Sequence, residues 1–350
     1  MERDGPNPGL LQADVLSGED AHAKLGVLIN RTFNLPEGTH FLDDFPIWDE
    51  RFAPEPAVRL GVFNGQDLVA STGIRLAQLK APHGSITVAL LGAVATDEKW
   101  RGKGLASQLV SFAVQWAEQR GATAILLWGS EYDLYRKLGF ELCGVQYRVP
   151  LTGLSLPACE LEVGQAWQPA IAQQLQKRPS GLALQDSDSK WLAAHKNVQW
   201  FWTGRADAPT AYVAYGRGVD LNGLIHEWGG QPEHLLQLLS HVRTKFPEAQ
   251  VIGTRDLLEQ HGFALDTNEP EFVCMATVIN PVRIFDAYHP EVPFTSKLEL
   301  ERWTLKSGDE TISGLDSGDL ARVLFGPQNE HRFLSEYLPL PLWLWGLDGV

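Results

Sequence analysis

Two hydrophobic periods alternate along the first 150 residues. Ala23, Val27, Leu28 and Asn30 recur at mixed helical spacing and predict a helix over 20–33, with Pro36 just beyond its end. Residues 58–63 read as a strand, Asn64-Gly65 as a hairpin turn and 67–79 as the returning strand. After Pro82-His83-Gly84, the β-branched apolar run 86–96 predicts a third strand. The period then lengthens. Leu105, Leu109, Phe112, Ala113 and Trp116 fall three and four residues apart, so 104–120 is an amphipathic helix closed by Gly121. A short buried strand (124–128), a short helix (131–138) and a strand from Gly139-Phe140 through Tyr147 complete this half.

Residues 150–157 look like a linker, and 167–177 read as a helix. The second half then repeats part of the first. Strands over 211–215 and 221–228 precede a helix (232–246), a strand (250–253) and a short helix (256–261) ending in Gly262-Phe263. That order matches the run 86–147. The predicted organisation is a first domain over 1–150, a second over 151–280 and a C-terminal extension over 281–350. The apolar run Leu338-Pro339-Leu340-Pro341-Leu342-Trp343-Leu344-Trp345 is expected to dock on the body, because such a surface is costly to leave in water.

Composition narrows the function. A chain of 350 residues suits two domains. The 44% hydrophobic and 21% charged content is that of a globular protein. The net charge of −14 opposes nucleic acid and anionic lipid as partners, since both need a basic surface. Cys143, Cys159 and Cys274 are too widely spaced for a zinc site or a disulfide framework, and read as small buried hydrophobes in a reducing compartment. The start, Met1 to Pro6, lacks the pattern of a signal peptide. No apolar run reaches the roughly twenty residues of a spanning helix. A cytoplasmic protein without metal is expected, and its aromatic content leans toward a homo-oligomer.

The segment Val94-Ala95-Thr96-Asp97-Glu98-Lys99-Trp100-Arg101-Gly102-Lys103-Gly104-Leu105-Ala106 joins a buried strand to a strongly amphipathic helix. Gly102 and Gly104 allow close backbone approach, the following helix offers unpaired N–H groups and Arg101 and Lys103 add charge. The predicted ligand is a pyrophosphate, although a plain glycine-bearing strand–helix turn has the same residues. A Rossmann loop would need a third glycine. A P-loop would need Ser or Thr after Gly102-Lys103, where Gly104 stands.

Arg101-Gly102-Lys103-Gly104-Leu105-Ala106 resembles the Arg/Gln-x-x-Gly-x-Gly/Ala signature of the GNAT superfamily of acetyltransferases, and Tyr135-Arg136-Lys137-Leu138-Gly139-Phe140 its Tyr-x-x-x-Gly-Phe segment. The resemblance covers roughly 10–150. It implies an α/β (α+β) fold with a mixed, mostly antiparallel sheet flanked by helices in each of two modules. It implies acetyl-coenzyme A as donor, with Val94, Ala95 and Thr96 along the pantetheine arm and Arg101, Gly102, Lys103, Gly104, Leu105 and Ala106 around the pyrophosphate. It implies Tyr135 as general acid, with Tyr132 as rival. The general base stays open among Asp97, Glu98, Glu131 and a water chain.

In the second half, Leu224-Ile225-His226-Glu227-Trp228-Gly229-Gly230-Gln231-Pro232 stands where the loop would be and carries none of its cations, and Leu258 stands where Tyr135 would. That half looks like a degenerate module that shapes the acceptor pocket. His226 and Glu227, adjacent on a strand, point to opposite faces. Trp200, Trp202 and Trp228 are candidates to stack on a ligand. The tandem layout is similar to acetyltransferases of the enhanced-intracellular-survival type, in which the C-terminal carboxylate can serve as base. That role would fall to Val350. The function implied is acetyl-coenzyme A-dependent N-acetyl transfer to a primary amine of a small molecule or peptide by direct attack in a ternary complex. The rivals are acyl or aminoacyl transfer from another donor, and a non-catalytic acyl-coenzyme A sensor or scaffold.

Overall fold

The computed structural model describes residues 12–265, 269–299, 302–327 and 333–350. The expectation for Met1 to Pro6 lies outside them. Strand β1 (Ala13–Val15) and helices α1 (Gly18–Thr32) and α2 (Phe41–Asp44) lead into the antiparallel strands β2 (Ala57–Asn64), β3 (Asp67–Ala81) and β4 (Gly84–Thr96). Helix α3 (Leu105–Glu118), strand β5 (Ala124–Leu127), helix α4 (Tyr132–Arg136) and strands β6 (Glu141–Cys143) and β7 (Tyr147–Pro150) follow. The β2–β3 hairpin closes at Asn64↔Asp67, with Gly65 at φ +63°, as the Asn-Gly turn requires.

The second half supplies β8 (Val163–Gln165), α5 (Pro169–Gln176), α6 (Ser189–Ala194), β9 (Gln199–Arg205), β10 (Ala208–Tyr215), β11 (Leu224–Gly230), α7 (Pro232–Lys245), β12 (Gln250–Gly253) and α8 (Arg255–Gln260). After it come β13 (Cys274–Val278), α9 (Pro281–Tyr288), β14 (Thr295–Glu299), β15 (Arg302–Ser307), β16 (Glu310–Gly314) and α10 (Ser317–Phe325). The fold is mixed α/β with mostly antiparallel sheets flanked by helices, as expected. The first sheet runs β1-β2-β3-β4-β5-β13-β6, the second β7-β12-β11-β10-β9-β8 and the third β14-β15-β16.

The halves exchange strands. Residues 139–147, expected as one strand, are broken at Gly144 (φ +70°): β6 stays in the first sheet, whereas β7 pairs with β12 in the second. In return β13 enters the first sheet between β5 and β6. This register sets Cys274 opposite Cys143, both buried.

Alternation on the strands divides the core. Ala77, Leu79, Val88, Leu90 and Leu126 face the second half, while Ile74, Ala89, Leu91, Ile125 and Leu127 pack against Val110, Ala113 and Ala117 of α3. On α3 the buried stripe also takes in Leu105 and Leu109, whereas Phe112 lies outside it and Trp116 lies under the Arg120 guanidinium at 4.3 Å. On α1 the buried residues are Leu25, Leu28 and Ile29, and Val27 points to solvent. Trp200 and Trp228 are buried, the latter donating to the Ile252 carbonyl, and the Trp202 indole donates to Ala166. No helix among the described residues is long and apolar enough to cross a membrane.

Candidate active site

The site begins where β4 and β5 part. They pair in parallel from Val88↔Ala124 to Leu91↔Leu127, and there β5 ends, while β4 continues along β3 to Thr96. The register slips between Ser71 and Gly73, so Ala93 and Val94 bulge opposite Thr72. Ala93 takes φ +53°, and the Ser71 hydroxyl donates to its carbonyl at 2.9 Å. The bulge turns backbone groups of β4 toward the opening.

A cavity of about 480 Å³ fills that opening. Val94, Ala95, Thr96, Arg101, Gly102, Gly104, Leu105 and Ala106 all line it, and Tyr135 with them. Gly102 and Gly104 have φ +74° and +77°, the region that disfavours side chains, and a Cβ at either would meet nothing within 4 Å. Gly104 caps α3, whose first-turn N–H groups have no acceptor within the helix and point into the same space. The arrangement suits an anionic group held by backbone, as a pyrophosphate would be. Lys103 does not line the cavity; its ammonium lies over the Trp100 ring at 4.1 Å.

Tyr135 is buried against Phe140, and its ring passes under Gly129. Burial, then the nearby Glu131 charge, pushes the phenol up to about 12, so it stays protonated at neutral pH. Tyr132, one turn earlier, is exposed and opens on a different cavity. Glu131 lines the Tyr135 cavity, Glu98 is exposed, and Asp97 is paired with Arg31 while capping the turn at Lys99.

A second cavity, of about 750 Å³, lies beyond the turn that follows β5 and is lined by Leu127, Trp128, Gly129 and Tyr132 from the first half. The chain end closes it. Val350 occupies the hollow over Gly92, where an added Cβ would come within 2.9 Å of its backbone carbonyl carbon and oxygen. The neighbouring hollow at Gly73 takes the Trp48 ring. Trp128 and Gly129, both on the lining of the second cavity, lie beside Gly349 and the Tyr135 ring respectively.

What holds the chain end comes from the second half. Buried Arg217 donates through Nη1 to the Gly346 carbonyl (3.0 Å) and the Gly349 carbonyl (2.9 Å) and through Nη2 to Asp220. Arg178 bridges Glu227 (2.5 Å) and Asp348 (2.8 Å), all three buried. Glu227 also accepts from the Leu347 N–H, and Asp348 from those of Leu182 and Trp345. One guanidinium serves two carboxylates, so burial still pushes Glu227 up, to about 7. His226 lies on the opposite face, fully buried, with Nε2 on the Gly216 carbonyl and its ring against Gly346. Neither His226 nor Glu227 lines the two cavities. Sequence reasoning had no signal for Arg178 and Arg217, because their partners Asp348, Gly346 and Gly349 lie more than a hundred residues away.

Residues 27–143 match the family model of the acetyltransferase (GNAT) domain. No curated protein matches the chain. Among solved structures, the fold is similar to that of a conserved protein of unknown function from Enterococcus faecalis V583, a probable N-acyltransferase (14% identity over 95% of this chain and 93% of that one, TM-score 0.65). It is also similar to a GCN5-related N-acetyltransferase from Kribbella flavida (17%, 88% and 84%, TM-score 0.59) and to Eis1 from Mycobacterium abscessus (14%, 93% and 92%, TM-score 0.58). The loop, the parted strands and the matched residues agree in identifying residues 27–143 as a region similar to the GNAT acetyltransferase domain.

Proposed function

We propose that the protein is an acetyl-coenzyme A-dependent N-acetyltransferase acting on a primary amine of a small molecule or peptide. The observation that carries this is the single cavity lined by the bulged end of β4, the loop from Arg101 to Ala106 and the protonated Tyr135. The pyrophosphate would rest on Gly102, Gly104 and the first turn of α3, with Arg101 adding charge, and the pantetheine arm along Val94, Ala95 and Thr96. The module over 1–150 would do this chemistry. The degenerate module over 151–280 and the extension over 281–350 would build the acceptor side.

In the ternary complex the amine nitrogen attacks the thioester carbonyl. An N–H of the β4 bulge stabilises the oxyanion, the C–S bond breaks and Tyr135 protonates the departing sulfur. The proton lost by nitrogen needs an acceptor. Of Asp97, Glu98 and Glu131, Glu131 lines the Tyr135 cavity and is the candidate for that role.

Titration with acetyl-coenzyme A tests the reading. A hundredfold excess over Kd adds about 2.7 kcal/mol of stability to a protein that binds only when folded. The thermal midpoint is expected to rise in the wild type and to stay put in Gly104→Glu, whose carboxylate would stand in the cradle. Thiol release on adding amines separates an enzyme from a sensor, which would bind without releasing thiol. No shift in the wild type sinks the proposal.

A further inference from the structure

The charge of −14 favours a polycation as partner for the surface as a whole. The second cavity is different inside. Its acidic side chains among the described lining residues are Asp220 and Glu271, and each already has a guanidinium: Arg217 Nη2 on Asp220 at 2.5 Å, and Arg148 Nε on Glu271 at 2.7 Å. Most of the remaining wall is apolar, including Trp128, Leu344 and Trp345, with Tyr132 and Phe272 exposed at its edge. A second or third ammonium entering here would meet two arginines and no carboxylate without a partner. A hydroxyl-rich body would set much of its hydration against apolar side chains, with Gln146 and the Tyr132 hydroxyl as the uncharged side-chain partners on the lining. A single ammonium on a flat apolar body lying between the rings satisfies both conditions.

We propose that the acceptor is a primary monoamine on an aromatic or apolar body, rather than a polyamine or an amino sugar. This rests on the acetyltransferase reading and assigns the second cavity as its acceptor site.

The test compares initial rates of thiol release by the full chain at saturating acetyl-coenzyme A. Phenethylamine and tryptamine serve as probes of the proposed class, and spermidine and kanamycin as the polycationic alternatives. The expected kcat/KM is at least roughly tenfold higher for the two aromatic amines, the order of discrimination that an apolar pocket supplies. Phe272→Ala is expected to raise KM for tryptamine several-fold with kcat nearly unchanged, and to leave spermidine unaffected. Equal or better turnover of spermidine or kanamycin overturns the proposal, as does Phe272→Ala acting alike on all four amines. If acetyl-coenzyme A shifts the thermal midpoint but none of the four releases thiol, the acceptor assignment is wrong while the donor site stands. If acetyl-coenzyme A produces no shift, the acetyltransferase reading itself has failed.

Discussion

Arg217→Met separates the hold on the chain end from the donor site. Methionine keeps much of the side-chain volume and the contact with the Phe45 ring, over which the guanidinium lies at 4.2 Å. It removes the donor shared by the carbonyls of Gly346 and Gly349. The Gly346 carbonyl keeps the Gly349 N–H at 3.3 Å, so the Gly349 carbonyl is the acceptor left unpaired, at a cost of about 1–3 kcal/mol. Asp220 adds little, because its carboxylate is 41% exposed and returns to water. Denaturant unfolding should therefore show a loss of at least about 1 kcal/mol. Arg217→Lys should recover only part of it, since one ammonium cannot span the fork of partners. With residues 346–350 loosened on the lining of the second cavity, KM for the amine should rise several-fold. The acetyl-coenzyme A shift should persist, because the loop lies across the sheet. An unchanged KM in a destabilised Arg217→Met protein would refute the acceptor role proposed for the second cavity. A stability loss below about 1 kcal/mol would refute the account of the network.

Tyr135→Phe should keep the acetyl-coenzyme A shift and lower kcat by about 10²–10⁴-fold, the range for losing a general acid; a rate near wild type would move the role elsewhere. Acid should destabilise the fold through buried histidines. Burial, with Arg217 nearby, depresses His195 to about 3 and His226 to about 4, below the ordinary 6.5. The unfolded chain then binds more protons below pH 6.5, so the stability these residues contribute is complete above 6.5 and is lost as pH falls toward 4. Each contributes a slope of up to about 1.4 kcal/mol per pH unit, and unfolding of His226→Gln between pH 6.5 and 4 should show a correspondingly flatter dependence.

Much of the first module was legible because local rules and tertiary packing agree there. The β2–β3 hairpin, β4, α3 and β5 fall within a few residues of the bounds read from period and turn chemistry. The glycines of the loop have the positive φ that their residue type permits. Amphipathic faces were read less well. Val27 and Phe112 fit a helical period but point outward, since a hydrophobic residue beside the stripe costs little on the surface. Strand β9 went unread, and its tryptophans looked like ligand platforms when Trp200 is core.

By itself, then, the sequence determined the donor-side loop, the strand and helix that carry it and the absence of that loop from the second half. These are properties of contiguous residues, set by backbone freedom, helix ends and apolar period. Only the tertiary structure decided the exchange of β7 and β13, the breaking of 139–147 into two sheets and the seat of Val350 over Gly92. Each of these depends on pairings between residues far apart in the chain: Arg178 reaches Asp348 across 170 positions, and Arg217 reaches Gly349 across 132. No local period records such a partner. The second cavity is built from these long-range contacts, so its charges and walls emerge only once the halves are packed together.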